Sequence, residues 1–270
     1  MLALISGEGA LPKLLYAHLA KSGNPPLIVE MDGFPSGIPD AEPITFHVEH
    51  LGTMLGDLRD RGVTQLCLAG RVRRPKLDPA MVDAATEPFV PAIAHAIQAG
   101  DDAALREILA IIEEFGFTLL AAHEVLPDLL LKPGIAGAHQ PNDQDRKDAI
   151  RAAVVVDAIG RADIGQACVV AQGQVIATEA FGGTDWMLAS VSGANRPAGP
   201  VGGILFKAAK PGQDRRADLP VIGPTSIPAV VAAGLNGIAI QSGGVMVMDA
   251  DATIKAADKA GIFLWVREDA

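Results

Sequence analysis

The chain has 270 residues, 49% of them apolar, and a formal net charge of −10. That length and apolar content suit one large domain or two modest ones with a substantial core, and exclude wholesale disorder. The acidic balance argues against a nucleic-acid partner, which would need backbone phosphates neutralised, but a local basic cluster can still hold an anion.

Aromatic residues are scarce at 4%, and small aliphatic residues dominate, which fits α/β layers better than an aromatic-cored sandwich. Residues 2–6 read as a buried strand closed by glycine, with no basic flank to suggest a secretory leader. A helix is predicted over 12–22 and strands at 27–31, 44–48 and 65–69, with a helix over 51–61 between the last two. Strands separated by helices imply β-α-β crossovers and a parallel sheet. Two helices are expected at 88–99 and 101–115, broken at Gly100-Asp101-Asp102, and then a strand over 118–126. The polar, Gly/Pro-rich run K-P-G-I-A-G-A-H-Q-P-N (132–142) divides a first domain, 1–132, from a second, 143–270, through a linker at 133–142.

The second half reads as a helix over 143–162 and a hairpin within 168–181 centred on Gln172-Gly173-Gln174. A helix is predicted over 185–192, with strands at 203–209, 237–242, 245–249 and 262–267. Further helices are expected near 226–234 and 250–260. Residues 219–248 carry no charge, yet prolines and glycines divide them into turn, short helix and buried strand, not a membrane span. Cys67 and Cys168 sit in apolar runs and are expected to be buried thiols in a reducing, cytoplasmic setting.

Four stretches carry chemistry. Gly7-Glu8-Gly9-Ala10-Leu11-Pro12 joins the first strand to the first helix, where Gly7, Gly9, Ala10 and Leu11 can bring backbone amides to a phosphate or ribose. Glu30 and Asp32 end the next strand, where a ribose is often held. Pro12 replaces the third glycine of the dinucleotide fingerprint, so a plain tight turn stays open. Arg71 and Arg74, in A-G-R-V-R-R-P (69–75), stand at a strand's carboxyl end and can clamp phosphates, or form a solvated basic turn. Gln166, in D-I-G-Q, and Thr184-Asp185, in G-G-T-D, offer hard oxygens to Mg²⁺ or its waters; helix capping is the alternative for Asp185. The run 207–223, K-A-A-K-P-G-Q-D-R-R-A-D-L-P-V-I-G, gathers Lys207, Lys210, Arg215 and Arg216 around Gln213, Asp214 and Asp218. Cations there can neutralise phosphate while a carboxylate holds a metal or orients water. His47, His50 and His123 lack zinc-site spacing.

Taken in order, G-E-G-A-L-P, A-G-R-V-R-R-P, G-D-D (100–102), A-H-E (122–124), D-I-G-Q, G-T-D, the 207–223 run and A-A-G-L-N-G-I (232–238) resemble the LpxI-type UDP-2,3-diacylglucosamine pyrophosphatases of lipid A synthesis. The resemblance spans nearly the whole chain. It departs at Gly182, where an acid is commoner. It implies a Rossmann-like N-terminal domain, a mixed α/β C-terminal catalytic domain with a substrate cleft between them, and a homodimer. It further implies Mg²⁺-dependent hydrolysis of the lipid-linked sugar nucleotide to UMP and 2,3-diacylglucosamine 1-phosphate (lipid X). The essential aspartate falls on Asp218. Asp218, Gln213 and Arg216 are then the expected catalytic set, Asp218 and Asp185 the metal ligands, and Lys210 and Arg216 the diphosphate contacts. Gln166, Thr184, Arg71, Arg74 and the Gly7–Leu11 loop complete the substrate site. Closure about the linker is an expected gate, and membrane contact is expected to be peripheral at most. An NAD(P)- or nucleotide-sugar-dependent oxidoreductase and a non-catalytic sugar-nucleotide sensor are the alternatives; Pro12 and the basic cluster count against the first.

Overall fold

A computed structural model describes residues 1–39, 41–73, 75–98, 101–196 and 198–268. Arg74 and Gly100 lie outside them. In chain order the first elements are β1 (Leu2–Ser6), α1 (Leu11–Lys21), β2 (Leu27–Met31), β3 (Ile44–Phe46), α2 (Leu51–Asp60), β4 (Gln65–Ala69), α3 (Val90–Gln98), α4 (Asp101–Glu114), β5 (Thr118–Leu120) and α5 (Ala122–Val125). Among the described residues β1 to β5 form one parallel sheet in the order β3-β2-β1-β4-β5, the dinucleotide-binding order without its sixth strand. Leu4, Leu15, Leu55, Leu58 and Leu66 are wholly enclosed around it, each burial contributing about 1.5–3 kcal/mol.

The strand expected over 118–126 stops at residue 120. The Glu124 carboxylate accepts the Ala121 N–H at 2.7 Å, satisfying a helix-start amide and turning the chain into α5.

The remaining elements are β6 (Gly134–Ala136), α6 (Asp143–Arg161), β7 (Ala167–Ala171), β8 (Gln174–Thr178), α7 (Gly183–Ser190), β9 (Ile204–Lys207), β10 (Val221–Ile222), α8 (Ser226–Ala232), β11 (Gly237–Gln241), β12 (Met246–Val247), α9 (Ala250–Ala260) and β13 (Phe263–Arg267). Their sheet runs β6-β13-β11-β9-β7-β8, with β13, β11 and β9 parallel and β6 and β7 antiparallel to their neighbours. The stretch 132–142 thus contains a strand, β6, paired to β13. The expected hairpin forms between β7 and β8. Its turn has positive φ at both Gln172 and Gly173, and the buried Asp148 carboxylate accepts both amides at 2.9 and 2.7 Å, fixing the register. The strand expected at 245–249 shortens to β12, because Asp249 takes a left-handed conformation (φ 42) and its carboxylate caps α9 through Ala252 N–H at 3.3 Å. β12 pairs in parallel with β10 in a small separate sheet.

By contacts the chain divides into two units. The first comprises Met1–Pro127 with Asp214–Asp218, and the second Asp128–Gln213 with Leu219–Ala270. Among the described residues no helix is long and apolar enough to cross a membrane. Cys67 and Cys168 are buried free thiols; burial pushes each up to about 12, helped at Cys67 by the charge of Glu124.

Candidate active site

In the first unit β2 and β3 lie to one side of β1, and β4 and β5 to the other. The sheet order therefore reverses between β1 and β4, whose carboxyl ends flank the crevice where open α/β sheets take ligands. The loops leaving these strands are zipped by backbone hydrogen bonds. Gly7 N–H donates to Ala69 O at 2.8 Å, Glu8 N–H to Arg71 O at 2.9 Å, and Arg71 N–H to Glu8 O at 2.8 Å. A Cβ at Gly7 would stand 2.5 Å from the Arg71 carbonyl oxygen, and one at Gly70 (φ +92) 2.6 Å from the Gly7 oxygen. The glycine at position 7 is thus required for loop-to-loop approach. Gly9 differs: it has φ +118, and a Cβ there would meet nothing within 4 Å.

Ala10 precedes α1 and offers no side-chain cap, the first turn holds no acid, and Pro12 lies within it. The leading amides of this helix are therefore available to an anion. Arg71 is exposed beside them. Arg73 lies 5.8 Å from the Phe34 ring centroid, with Nη2 3.5 Å from Glu8 Oε1. Glu30, a candidate ribose acceptor, is buried, and its carboxylate accepts both the Ser36 amide, at 2.9 Å, and the Ser36 hydroxyl. Asp32 is exposed, 3.9 Å from His47.

The strip 214–218 is organised by Arg216. Its Nε and Nη2 donate to Asp214 at 3.0 and 2.6 Å, and Nη1 to Glu113 of α4 at 2.5 Å. Hydrogen bonds from Arg216 hold the Asp214 carboxyl below its ordinary value against an opposing push from burial, while both acids drive the guanidinium further up. Ala217 packs on the first unit's core. Asp218 is exposed at the end of the strip, its amide donating to Asp214 O at 3.3 Å. The guanidinium expected on the diphosphate is accordingly engaged in fastening the segment that carries Asp218.

In the second unit the carboxyl ends of β9 and β11, and the amino end of the antiparallel β7, share one sheet edge. Side chains build this edge. Glu179, just past β8 and buried, accepts the Gln166 N–H at 3.1 Å and the Thr184 hydroxyl at 2.8 Å. Lys207, also buried, donates to Thr184 Oγ1 at 2.8 Å and to Val221 O at 3.2 Å. Ala209 N–H donates to Gln241 Oε1 at 3.1 Å, and Lys210 N–H to Gln213 Oε1 at 3.0 Å. Lys210 Nζ ion-pairs with Asp163 at 2.6 Å. Gln166, Thr184, Lys210 and Gln213 are thereby gathered on one edge, with Asp185 exposed in the first turn of α7. Glu179 and Gln241 are additions. Their only sequence signal is a polar residue closing an apolar strand.

Buried Gln166 Oε1 and His123 Nδ1 lack a hydrogen-bond partner among the described residues. An orphaned amide oxygen amid this network suits a donor or cation from outside the chain. No group of three or more His, Cys, Asp or Glu among the described residues converges on a metal position. Mg²⁺ does not require one, since it keeps waters and takes one or two carboxylates together with phosphate oxygens. The exposed Asp218 carboxylate and the Gln166 carbonyl are donors of that hard kind.

Residues 1–129 match the LpxI N-terminal domain and residues 132–265 the LpxI C-terminal domain. The chain is 38% identical over 270 residues to the UDP-2,3-diacylglucosamine pyrophosphatase LpxI of Caulobacter vibrioides, covering 97% of this chain and 96% of that one.

Proposed function

We propose, from the premise that the chain belongs to the LpxI family, that it hydrolyses the diphosphate of UDP-2,3-diacylglucosamine to UMP and 2,3-diacylglucosamine 1-phosphate. The observation that carries this reading is the match in both halves, together with full-length similarity to a relative named for that pyrophosphatase activity. It makes the chain a hydrolase of lipid A biosynthesis acting on a lipid-linked sugar nucleotide.

A diphosphate repels its nucleophile, so its charge has to be neutralised as the anhydride bond breaks. Asp218 holds the cation or orients the attacking water from an exposed position at the end of an anchored strip. Arg216 is a positioning residue, gripping Asp214 and Glu113 so that Asp218 is presented in one place. Lys210 and Gln213, with Thr184 and Gln166, form the polar edge that receives phosphate and sugar oxygens. The uncapped start of α1, with Gly9, Ala10 and Leu11, receives the nucleotide end, and Arg71 adds positive charge there. Mg²⁺, held through Asp218 with Asp185 as a second donor, would supply further charge neutralisation when bound.

The test incubates purified protein with UDP-2,3-diacylglucosamine in heavy-oxygen water, with and without Mg²⁺, and follows UMP and the phosphorus that gains the label. Asp218→Asn is expected to lower turnover at least about a hundredfold, the scale of removing a positioned catalytic group, with the thermal melt unchanged. Normal turnover by that variant would remove Asp218 from the mechanism.

A further inference from the structure

The hydrogen bonds through Thr184 run in one direction. Lys207 Nζ donates to Thr184 Oγ1 at 2.8 Å, and the Thr184 hydroxyl donates to Glu179 Oε1 at 2.8 Å. An ammonium can only donate and a carboxylate only accept, so the hydroxyl proton is committed to Glu179. Both charged residues are buried, which shields the arrangement from competing water. Glu179 is itself braced. Its N–H donates to Ala167 O at 2.9 Å, its second carboxylate oxygen accepts the Gln166 N–H at 3.1 Å, and a Cβ at Gly165 would stand 2.4 Å from its carbonyl oxygen. Thr184 lies in the first turn of α7, one turn before buried Leu188, so the fold brings it to this pair. Its oxygen keeps one lone pair without a partner among the described residues, and the residue is only half-buried.

We propose that Glu179 and Lys207 are positioning residues that hold Thr184 as a hydrogen-bond acceptor, and that its partner is a hydroxyl or amide N–H of the substrate's sugar. Resting on the reading above, this divides the polar edge between two tasks. A diphosphate oxygen brings no proton, so at Thr184 it would set lone pair against lone pair. Phosphate oxygens instead suit Lys210, whose ammonium can only donate. The glucosamine unit of the substrate keeps two unacylated hydroxyls and an amide N–H, each a donor that an acceptor of fixed position can read. A hydroxyl held between two buried charges cannot turn to suit another partner. A sugar without the donor therefore leaves Thr184 unpaired, and the site discriminates against it.

The test compares UDP-2,3-diacylglucosamine with analogues that each lack one sugar donor: either free hydroxyl, or the amide N–H. Kd is taken from calorimetry, and KM and kcat from UMP release. The parent should bind one of these analogues at least about tenfold more weakly than the full substrate, the scale of an acceptor left unpaired. Thr184→Val should weaken binding of the full substrate by a similar factor, seen in Kd and KM, and should lose nothing further on that analogue. Thr184→Ser, which keeps the hydroxyl, should recover most of the discrimination. Glu179→Gln lets an amide donate to Thr184 and frees the hydroxyl to turn, so discrimination against the analogue should fall. A Thr184→Val variant that loses equally on every analogue overturns the proposal, because Thr184 would then read a group they all share. Retained discrimination in Glu179→Gln overturns the positioning role. A raised Mg²⁺ requirement in Thr184→Val, with discrimination among the analogues intact, also overturns it by placing Thr184 on the cation. A parent that shows the selective loss in Kd but releases no UMP refutes the assigned reaction while leaving the sugar contact in place.

Discussion

The two sheet edges are built by opposite means. At the carboxyl edge of the first sheet, backbone meets backbone: Gly7 and Gly70 let two loops approach so closely that carbonyl oxygens occupy the space of a Cβ. At the matching edge of the second sheet, side chains carry the structure: buried Glu179 accepts the Gln166 amide and the Thr184 hydroxyl, and buried Lys207 donates to Thr184. The first design offers amides and tolerates no added atom. The second offers charged and amide side chains and tolerates no missing partner. The two edges should therefore fail in different ways when altered.

The largest effect is expected at Lys207. Lys207→Met leaves Thr184 Oγ1 and the Val221 carbonyl short of a donor beside buried Glu179, and should cost about 3 kcal/mol in urea unfolding, as for other broken buried networks. Adding Glu179→Gln should restore part of that loss, since a neutral amide tolerates the missing charge. A single variant as stable as the parent would show that the network is not coupled. Gly7→Ala comes next. Its Cβ collides with a carbonyl oxygen that cannot rotate away, so about 2 kcal/mol of destabilisation is expected, the scale of overpacking. Gly9→Ala meets open space and should cost the backbone strain of its positive φ, about 1–3 kcal/mol, with no collision. A Gly7→Ala variant as stable as the parent would refute the steric account of Gly7.

The smallest effect concerns pH at the strip. Asp214 is depressed in the folded chain, mainly by hydrogen bonds from Arg216. Its contribution is therefore complete above the unfolded carboxyl value of about 3.9 and is lost as pH falls through the lower folded value. Protection from hydrogen exchange at residues 214–218, relative to the intrinsic rate at each pH, should fall on acidification below that unfolded value. Arg216→Ala should remove the acid dependence of that protection and leave the strip weakly protected throughout. An acid response that survives the substitution would detach it from this ion pair.

Much of this architecture is legible in the amino-acid order, for physical reasons. Buried parallel strands such as 65–69 read as apolar runs, and their helical partners carry a clear period, so the first sheet and α6 fall where expected. The hairpin at 172–173 announces itself through glycine. β10 and β12 do not, because two residues hold no period, and β6 is a Gly-Ile-Ala segment whose partner, β13, is more than a hundred residues away. The site divides similarly. Polar residues clustered in one run, such as Lys210 and Gln213, stand out. Glu179 and Gln241 are single polar residues at strand ends, and only the folded register brings them to the network. Glu113 gives no hint that it fastens Arg216, since nothing local marks a partner 103 positions away.

The membership of Asp214–Asp218 in the first unit has a practical consequence for anyone cutting the gene. A fragment ending at residue 127 would lose the guanidinium that Glu113 binds and the methyl that Ala217 lays on the core. Chimaeras that exchange halves between relatives must carry these five codons along with the amino-terminal portion, or graft them as an insert.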